Sequence, residues 1–187
     1  MQVLDTIFPE VKILQLNPHP DGRGLFVETW NQGFSDHLNV KPDWQQDSFS
    51  LSTKKGTVRG LHFQLPPADQ CKLVRVSKGS LFDVVADIRQ GSPTYGEHYS
   101  IVLKAADYKQ IFIPPGYAHG FCTLEDDTEM TYKLSGTYAP ELSSGLLWND
   151  PDLGIDWPIK EAEAVLSDKD RIYPRLRNMP DIFHYQS

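Results

Sequence analysis

The stretch Lys72-Leu73-Val74-Arg75-Val76-Ser77-Lys78-Gly79-Ser80-Leu81-Phe82-Asp83-Val84-Val85-Ala86-Asp87-Ile88 decides the fold class. An apolar run at Leu73–Ser77 meets the turn signal Lys78-Gly79, and a second run at Leu81–Ile88 ends before Gln90-Gly91-Ser92-Pro93. Short apolar, β-branched runs separated by glycine turns read as strands. The same rhythm predicts strands at Tyr99–Leu103, Gln110–Ile113, Gly120–Leu124, Glu129–Leu134 and Gly145–Trp148, with a turn at Pro114-Pro115-Gly116. Several short strands at this spacing predict an all-β sandwich or barrel. Helix is confined to a turn or two near Asn31–Leu38, Ser167–Arg171 and Pro180–Phe183.

No repeat, low-complexity tract or linker interrupts the chain, so residues 1–187 are expected to form one domain. The segment Asn149–Pro158 reads as a long ordered loop leading to a C-terminal stretch that packs back on the sheet. A net charge of −7 argues against nucleic acid as a partner, because phosphate binding needs a basic surface. No apolar run approaches the length of a membrane span. The two cysteines, Cys71 and Cys122, give no disulfide framework, and with no leader pattern a reducing cytoplasm is expected.

Against this background the segment Thr57-Val58-Arg59-Gly60-Leu61-His62-Phe63-Gln64, followed by Gln70-Cys71-Lys72-Leu73-Val74, stands out. It puts Arg59, His62 and Lys72 into half-buried strands, where lost hydration must be compensated. A bound anion, or a group that must lose a proton, accounts for gathering them. Alternation along the strands sorts the side chains. Lys72 shares a face with Val74 and Val76, and Tyr132 with Met130 and Leu134, while Glu129, Thr131 and Lys133 face out. Phe26 and Glu28 share a face, as do Gln46, Ser48 and Ser50. Arg59 and His62 fall on opposite parity, so they meet only if the strand bulges, which Gly60 permits.

A histidine held by a carboxylate is a competent base near neutral pH. A neighbouring lysine or arginine stabilises an oxyanion, and a tyrosine on the far wall delivers a proton from the other side. Together they suit proton abstraction beside a carbonyl with return of a proton to the opposite face. Plain structural readings stand beside these: a satisfied core histidine, snorkelling basic chains and a packed strand tyrosine. For Asp170 the local pattern Ser167-Asp168-Lys169-Asp170 favours a helix capping box over a site.

Pro114-x-Gly116-x-x-His119 is similar to the second half of the cupin pattern, which implies a double-stranded β-helix. The first-half His-x-His pair of metal-binding cupins is here His62-Phe63-Gln64, so His62 and His119 are too few ligands and no metal is expected. The wider pattern resembles the dTDP-4-dehydrorhamnose 3,5-epimerase family from about Asp21 to Asp170. The matching blocks are Asp21-x-Arg23-Gly24-x-Phe26-x-Glu28, Gln46-Asp47-Ser48-x-Ser50, Arg59-Gly60-Leu61-His62-x-Gln64 and Lys72-Leu73-Val74. They continue with Asp83-Val84-x-x-Asp87-Ile88-Arg89, Ser92-Pro93-Thr94-x-Gly96, Ile113-Pro114-x-Gly116-x-Ala118-His119-Gly120-Phe121 and Trp148-Asn149-Asp150-Pro151. Trp157-Pro158 and Leu166-Ser167-x-Lys169-Asp170 complete the series.

The resemblance implies an all-β, cupin-like jelly roll, a homodimer with sites near the subunit interface, and no metal or organic cofactor. It implies a dTDP-linked 4-keto-6-deoxyhexose substrate inverted at C3 and C5. His62 would be the base and Asp170 its orienting partner, which reverses the capping-box reading. Lys72 would stabilise the enolate, and Tyr132 would act as the acid. Arg59 and Arg23 are expected near the diphosphate or sugar, with Phe26, Glu28 and Gln46 on the nucleotide side and His119 and Tyr138 also lining the pocket. In the family, Arg23 and its neighbours can come from the partner subunit.

Two positions depart from the family's pattern: Ser48 stands where asparagine is common, and Cys71 where glycine is frequent. They bear on which sugar is bound and whether one carbon or both are inverted. The alternatives are therefore a single-site C3 or C5 epimerase, a less fitting 3,4-ketoisomerase, and a non-catalytic cupin that binds a nucleotide sugar.

Overall fold

The structure, a computed structural model, describes residues 1–38 and 40–186. It begins with β1 (Gln2–Asp5), β2 (Lys12–Gln15), β3 (His19–Asp21) and β4 (Gly24–Phe26). Next come β5 (Gln46–Ser52), β6 (Val58–Gln64), β7 (Lys72–Lys78), β8 (Ser80–Asp87) and β9 (Arg89–Gln90). The second half holds β10 (His98–Lys104), β11 (Lys109–Ile113), β12 (Tyr117–Thr123), β13 (Thr128–Leu134), β14 (Ser143–Gly145) and β15 (Phe183–His184).

Two antiparallel sheets face each other as a jelly roll. One runs β1-β2-β11-β7-β13-β5 and the other β10-β8-β12-β6-β14. Ile13, Val74, Val76, Ile111 and Met130 from the first interdigitate with Leu81, Val85, Leu103 and Phe121 from the second. Each such apolar side chain contributes roughly 1.5–3 kcal/mol when fully buried. The outer faces are covered as well. Phe34, Leu38, Trp30 and Trp44 pack over Leu73 and Phe112 on one side. On the other, Leu153, Leu176 and Phe183 of the C-terminal third pack over Leu61, Phe63 and Val84. Burial on both faces explains why β8 reads as a nearly continuous apolar run rather than a clean alternation.

The short turn expected near Asn31–Leu38 is a 3-10 helix at Gln32–His37. Three expectations need correction. Ser167–Arg171 is a turn and not a helix. Pro180–Phe183 is not helical either: Phe183–His184 forms β15, which pairs in parallel with β9, and Phe183 packs edge-on against Phe63 at 5.9 Å. The apolar payoff of inserting Phe183 outweighs the local turn preference. The strand placed at Gly145–Trp148 is instead β14, Ser143–Gly145, because Leu147 turns away to donate its N–H to the Pro174 carbonyl.

The bulge required by the parity of Arg59 and His62 is present. Along β6 and β12, His119 pairs with His62 but Phe121 pairs with Arg59, so Gly60 and Leu61 together oppose Gly120. Gly60 has φ +119°, and a Cβ there would lie 2.5 Å from Gly120 Cα and 2.7 Å from the His119 carbonyl oxygen. Only glycine fits. The register slip turns Arg59 and His62 toward one space.

Candidate active site

That space is a cavity of about 700 Å³ between the sheets, bordered by Arg59, His62, Lys72, His119, Tyr132 and Asp170. His62 and His119 are cross-strand partners on β6 and β12 of the five-stranded sheet. Lys72 on β7 and Tyr132 on β13 belong to the six-stranded sheet and face them.

His62 Nε2 lies 2.5 Å from Asp170 Oδ1. Asp170 is buried, 3% exposed, and its other oxygen accepts the Ser167 hydroxyl at 2.8 Å, while its own N–H donates to Ser167 Oγ at 3.2 Å. Burial pushes the Asp170 carboxyl up, but the hydrogen bond and charge of His62, the Ser167 hydroxyl and the Gly60 N–H outweigh it and hold it below the ordinary value. Asp170 is therefore a carboxylate. With Nε2–H donated to it, the imidazole keeps its lone pair on Nδ1, which no other described residue engages. Tyr173 fixes the ring from the side, edge-on at 5.7 Å, and itself rests on Gly145, the cross-strand partner of His62.

Behind this pair lies a second one. His119 Nε2 is 3.0 Å from Asp83 Oδ2, with both residues buried. Lys72 Nζ donates to the His62 carbonyl at 3.1 Å. Loss of water pulls the Lys72 ammonium down to about 8, and the charge of Asp83 opposes that shift. A positive group that is poorly hydrated and aimed into a cavity interacts strongly with an anion placed beside it.

Arg59 spends two of its donors on the walls, to Ser52 Oγ and the Leu51 carbonyl at 3.2 Å each. Its remaining N–H groups are left for a ligand. Gln46 and Tyr138 border the opening. Among the described residues no group of three or more His, Cys, Asp or Glu side chains is placed to hold a metal. Both cysteines are buried free thiols pushed up to about 11 by burial, so neither is a nucleophile.

Eight of the twelve expected residues thus converge: His62, Asp170, Tyr132, Lys72, Gln46, Arg59, His119 and Tyr138. Four do not enter this cavity. Ser48 sits beside Tyr132 across β5 and β13 and accepts the Gln46 amide at 2.9 Å. Arg23 is on the exposed β3–β4 hairpin with its side chain 91% exposed and paired to Asp21. Phe26 is 68% exposed, and Glu28 accepts from Asn31 at 2.5 Å. Sequence reasoning gave no site role to Asp83, Ser167 or Tyr173, and Ser167 only that of a helix cap. A buried aspartate in the apolar run of β8 was the available signal for the first, since an unpaired charge there is costly.

The sequence model described as dTDP-4-dehydrorhamnose 3,5-epimerase matches residues 5–178. The dTDP-4-dehydrorhamnose 3,5-epimerase of Sinorhizobium fredii is 45% identical over 176 residues, covering 94% of this chain and 90% of the relative. The fold is similar to that of the dTDP-6-deoxy-D-glucose-3,5-epimerase of Legionella pneumophila solved with dTDP-4-keto-L-rhamnose. There the TM-score is 0.94 at 36% identity, covering 100% of this chain and 99% of the other. A 3'-monoepimerase of Streptomyces bikiniensis in complex with dTDP-quinovose is also similar, with TM-score 0.86, 30% identity and coverage of 92% and 86%.

Proposed function

The chain belongs to the dTDP-4-dehydrorhamnose 3,5-epimerase family, and on that premise we propose that it epimerises dTDP-4-dehydro-6-deoxy-D-glucose at C3 and C5 to dTDP-4-dehydro-L-rhamnose. The observation that carries this reading is the opposition of the His62–Asp170 pair on one wall to Tyr132 on the other, with Lys72 beside them. The C4 ketone acidifies the hydrogens on both flanking carbons. His62 Nδ1 takes the proton from C3, the C–H electron pair moves into the C3–C4 bond, and the carbonyl pair moves onto O4. Lys72 stabilises the enolate oxygen while Asp170 offsets the charge on the imidazolium. Tyr132 then gives its hydroxyl proton to the opposite face, inverting the carbon. Exchange with water discharges His62 and reloads Tyr132, and the same cycle serves C5.

The exposed hairpin carrying Arg23 and Phe26 fits a homodimer in which this arm reaches the partner's cavity and supplies contacts to the nucleotide. Leu25 and Phe26 are 48% and 68% exposed, which a lone protomer has no reason to maintain on one hairpin. A nucleotide-sugar substrate and two reduced thiols suit a cytoplasmic enzyme. Among the described residues no helix is long and apolar enough to cross a membrane.

Ser48, in place of the family's common asparagine, favours one second reading, a single-site epimerase. Proton NMR of turnover in D2O decides between them. Deuterium at both C3 and C5, with inversion at each shown by trapping the product with a reductase, supports double inversion; label and inversion at one carbon alone support the single-site enzyme.

A further inference from the structure

The mouth of the cavity holds a set of polar groups that the reaction does not use. Residues Ser135–Ala139 leave β13 and cross the opening without regular structure. Their backbone groups therefore need partners outside the ladder. Three glutamine side chains supply them. Gln70 Nε2 donates to the Gly136 carbonyl at 2.7 Å and to that of Thr137 at 3.1 Å. Gln64 Oε1 accepts from the Ala139 N–H at 2.8 Å, while its Nε2 donates to the Ala68 carbonyl at 2.7 Å. Gln46 Oε1 accepts from the Tyr138 N–H at 3.0 Å. Four successive loop residues are each held by an amide.

The chemistry of the holder matters. Gln64 uses its carbonyl as an acceptor and its NH2 as a donor at once, which a carboxylate or an ammonium cannot do. Gln70 points a donor at two carbonyl oxygens, where a carboxylate would be repelled. Both are buried, at 7% and 8% exposure, so a wrong group there cannot turn to water. They also tie the loop to the two strands that carry His62 and Lys72, since Gln64 ends β6 and Gln70 lies two positions before Lys72, the first residue of β7.

We propose that Gln64 and Gln70 are positioning residues that hold Tyr138 against the nucleotide end of the substrate, setting affinity and not the chemistry. The geometry behind this is the depth of the site. Asp170 is buried at the floor, whereas Tyr138 is 53% exposed at the mouth, so a sugar at His62 leaves its nucleotide beside Tyr138. The inference rests on the proposed dTDP-sugar substrate.

The test measures dTDP affinity, KM and kcat for Gln70→Glu, Gln64→Glu, Tyr138→Ala and the Gln70→Glu/Tyr138→Ala double variant. One buried polar group left unpaired is expected to weaken dTDP binding and raise KM about tenfold, with kcat changed less than about twofold. The double variant is expected to be no weaker than Tyr138→Ala alone, because both changes remove the same contact. Lowering the pH should restore affinity to the two glutamate variants, since a protonated carboxyl regains a donor. Gln64→Glu keeps the test open if Gln70→Glu fails to fold. Additive losses, a fall in kcat with unchanged dTDP affinity, or unchanged affinity in Tyr138→Ala would each overturn the proposal. A wild-type enzyme that does not bind dTDP would instead remove the substrate reading on which it stands.

Discussion

His62 and Asp170 meet at 2.5 Å although 108 positions separate them in the chain. The contact joins the bulged strand β6 to the turn after residue 166, and Ser167 fixes the carboxylate from the other side. The proposed base is thus assembled by the fold and not by a local motif.

Replacing Asp170 with asparagine keeps the shape and removes the charge that offsets the imidazolium. We expect kcat to fall by about 100-fold or more, with dTDP affinity unchanged. Ser167→Ala, which frees one carboxylate oxygen, should cost about tenfold in kcat, the value of one hydrogen bond to a charged group. Steady-state kinetics with parallel dTDP titration checks both.

Lys72 sets the alkaline behaviour. Its ammonium is lost as pH rises through about 8, so kcat/KM of the free enzyme should decline above that point. Lys72→Met should lower the rate and abolish this limb. Stability should move the other way. The folded pKa is depressed below the unfolded value, so between about 8 and 10.4 the unfolded chain binds more protons and stability rises with pH. Urea unfolding at the two ends of that window reads the sign.

The dimer reading makes a sharper demand on the hairpin. Mixed, subunit-exchanged protomers of Arg23→Ala and His62→Ala should regain activity, because the Arg23→Ala protomer keeps its His62 and receives an intact arm. If each arm serves its own cavity, both sites in the mixed dimer stay dead and no activity returns. The assay needs only the two inactive parents and their mixture.

The sandwich was readable because the strands alternate cleanly where it matters. Lys72 with Val74 and Val76, and Tyr132 with Met130 and Leu134, told which way the chemistry faces. The mismatch of Arg59 with His62 even required the slip at Gly60. Asp170 was not readable from its neighbours. Ser167 Oγ accepts the Asp170 N–H as in a capping box, but it is the Ser167 hydroxyl, not its backbone N–H, that donates to the carboxylate. No helix follows, so only the distant His62 points to another role. The C-terminal strand was hidden for a related reason. Phe183–His184 is two residues long and pairs in parallel with Arg89–Gln90, too little chain to show any period. The loop-holding roles of Gln64 and Gln70 left no trace in polarity or spacing, because their partners are backbone groups that every residue carries.

The most direct test of two opposed walls is turnover of dTDP-4-dehydro-6-deoxy-D-glucose by Tyr132→Phe in D2O. With the acid gone and the base intact, His62 can remove a proton and return deuterium to the same face. The account predicts label entering at C3 without inversion, while His62→Ala gives neither label nor inversion. Inversion at the wild-type rate in Tyr132→Phe, or label entering in His62→Ala, would contradict it.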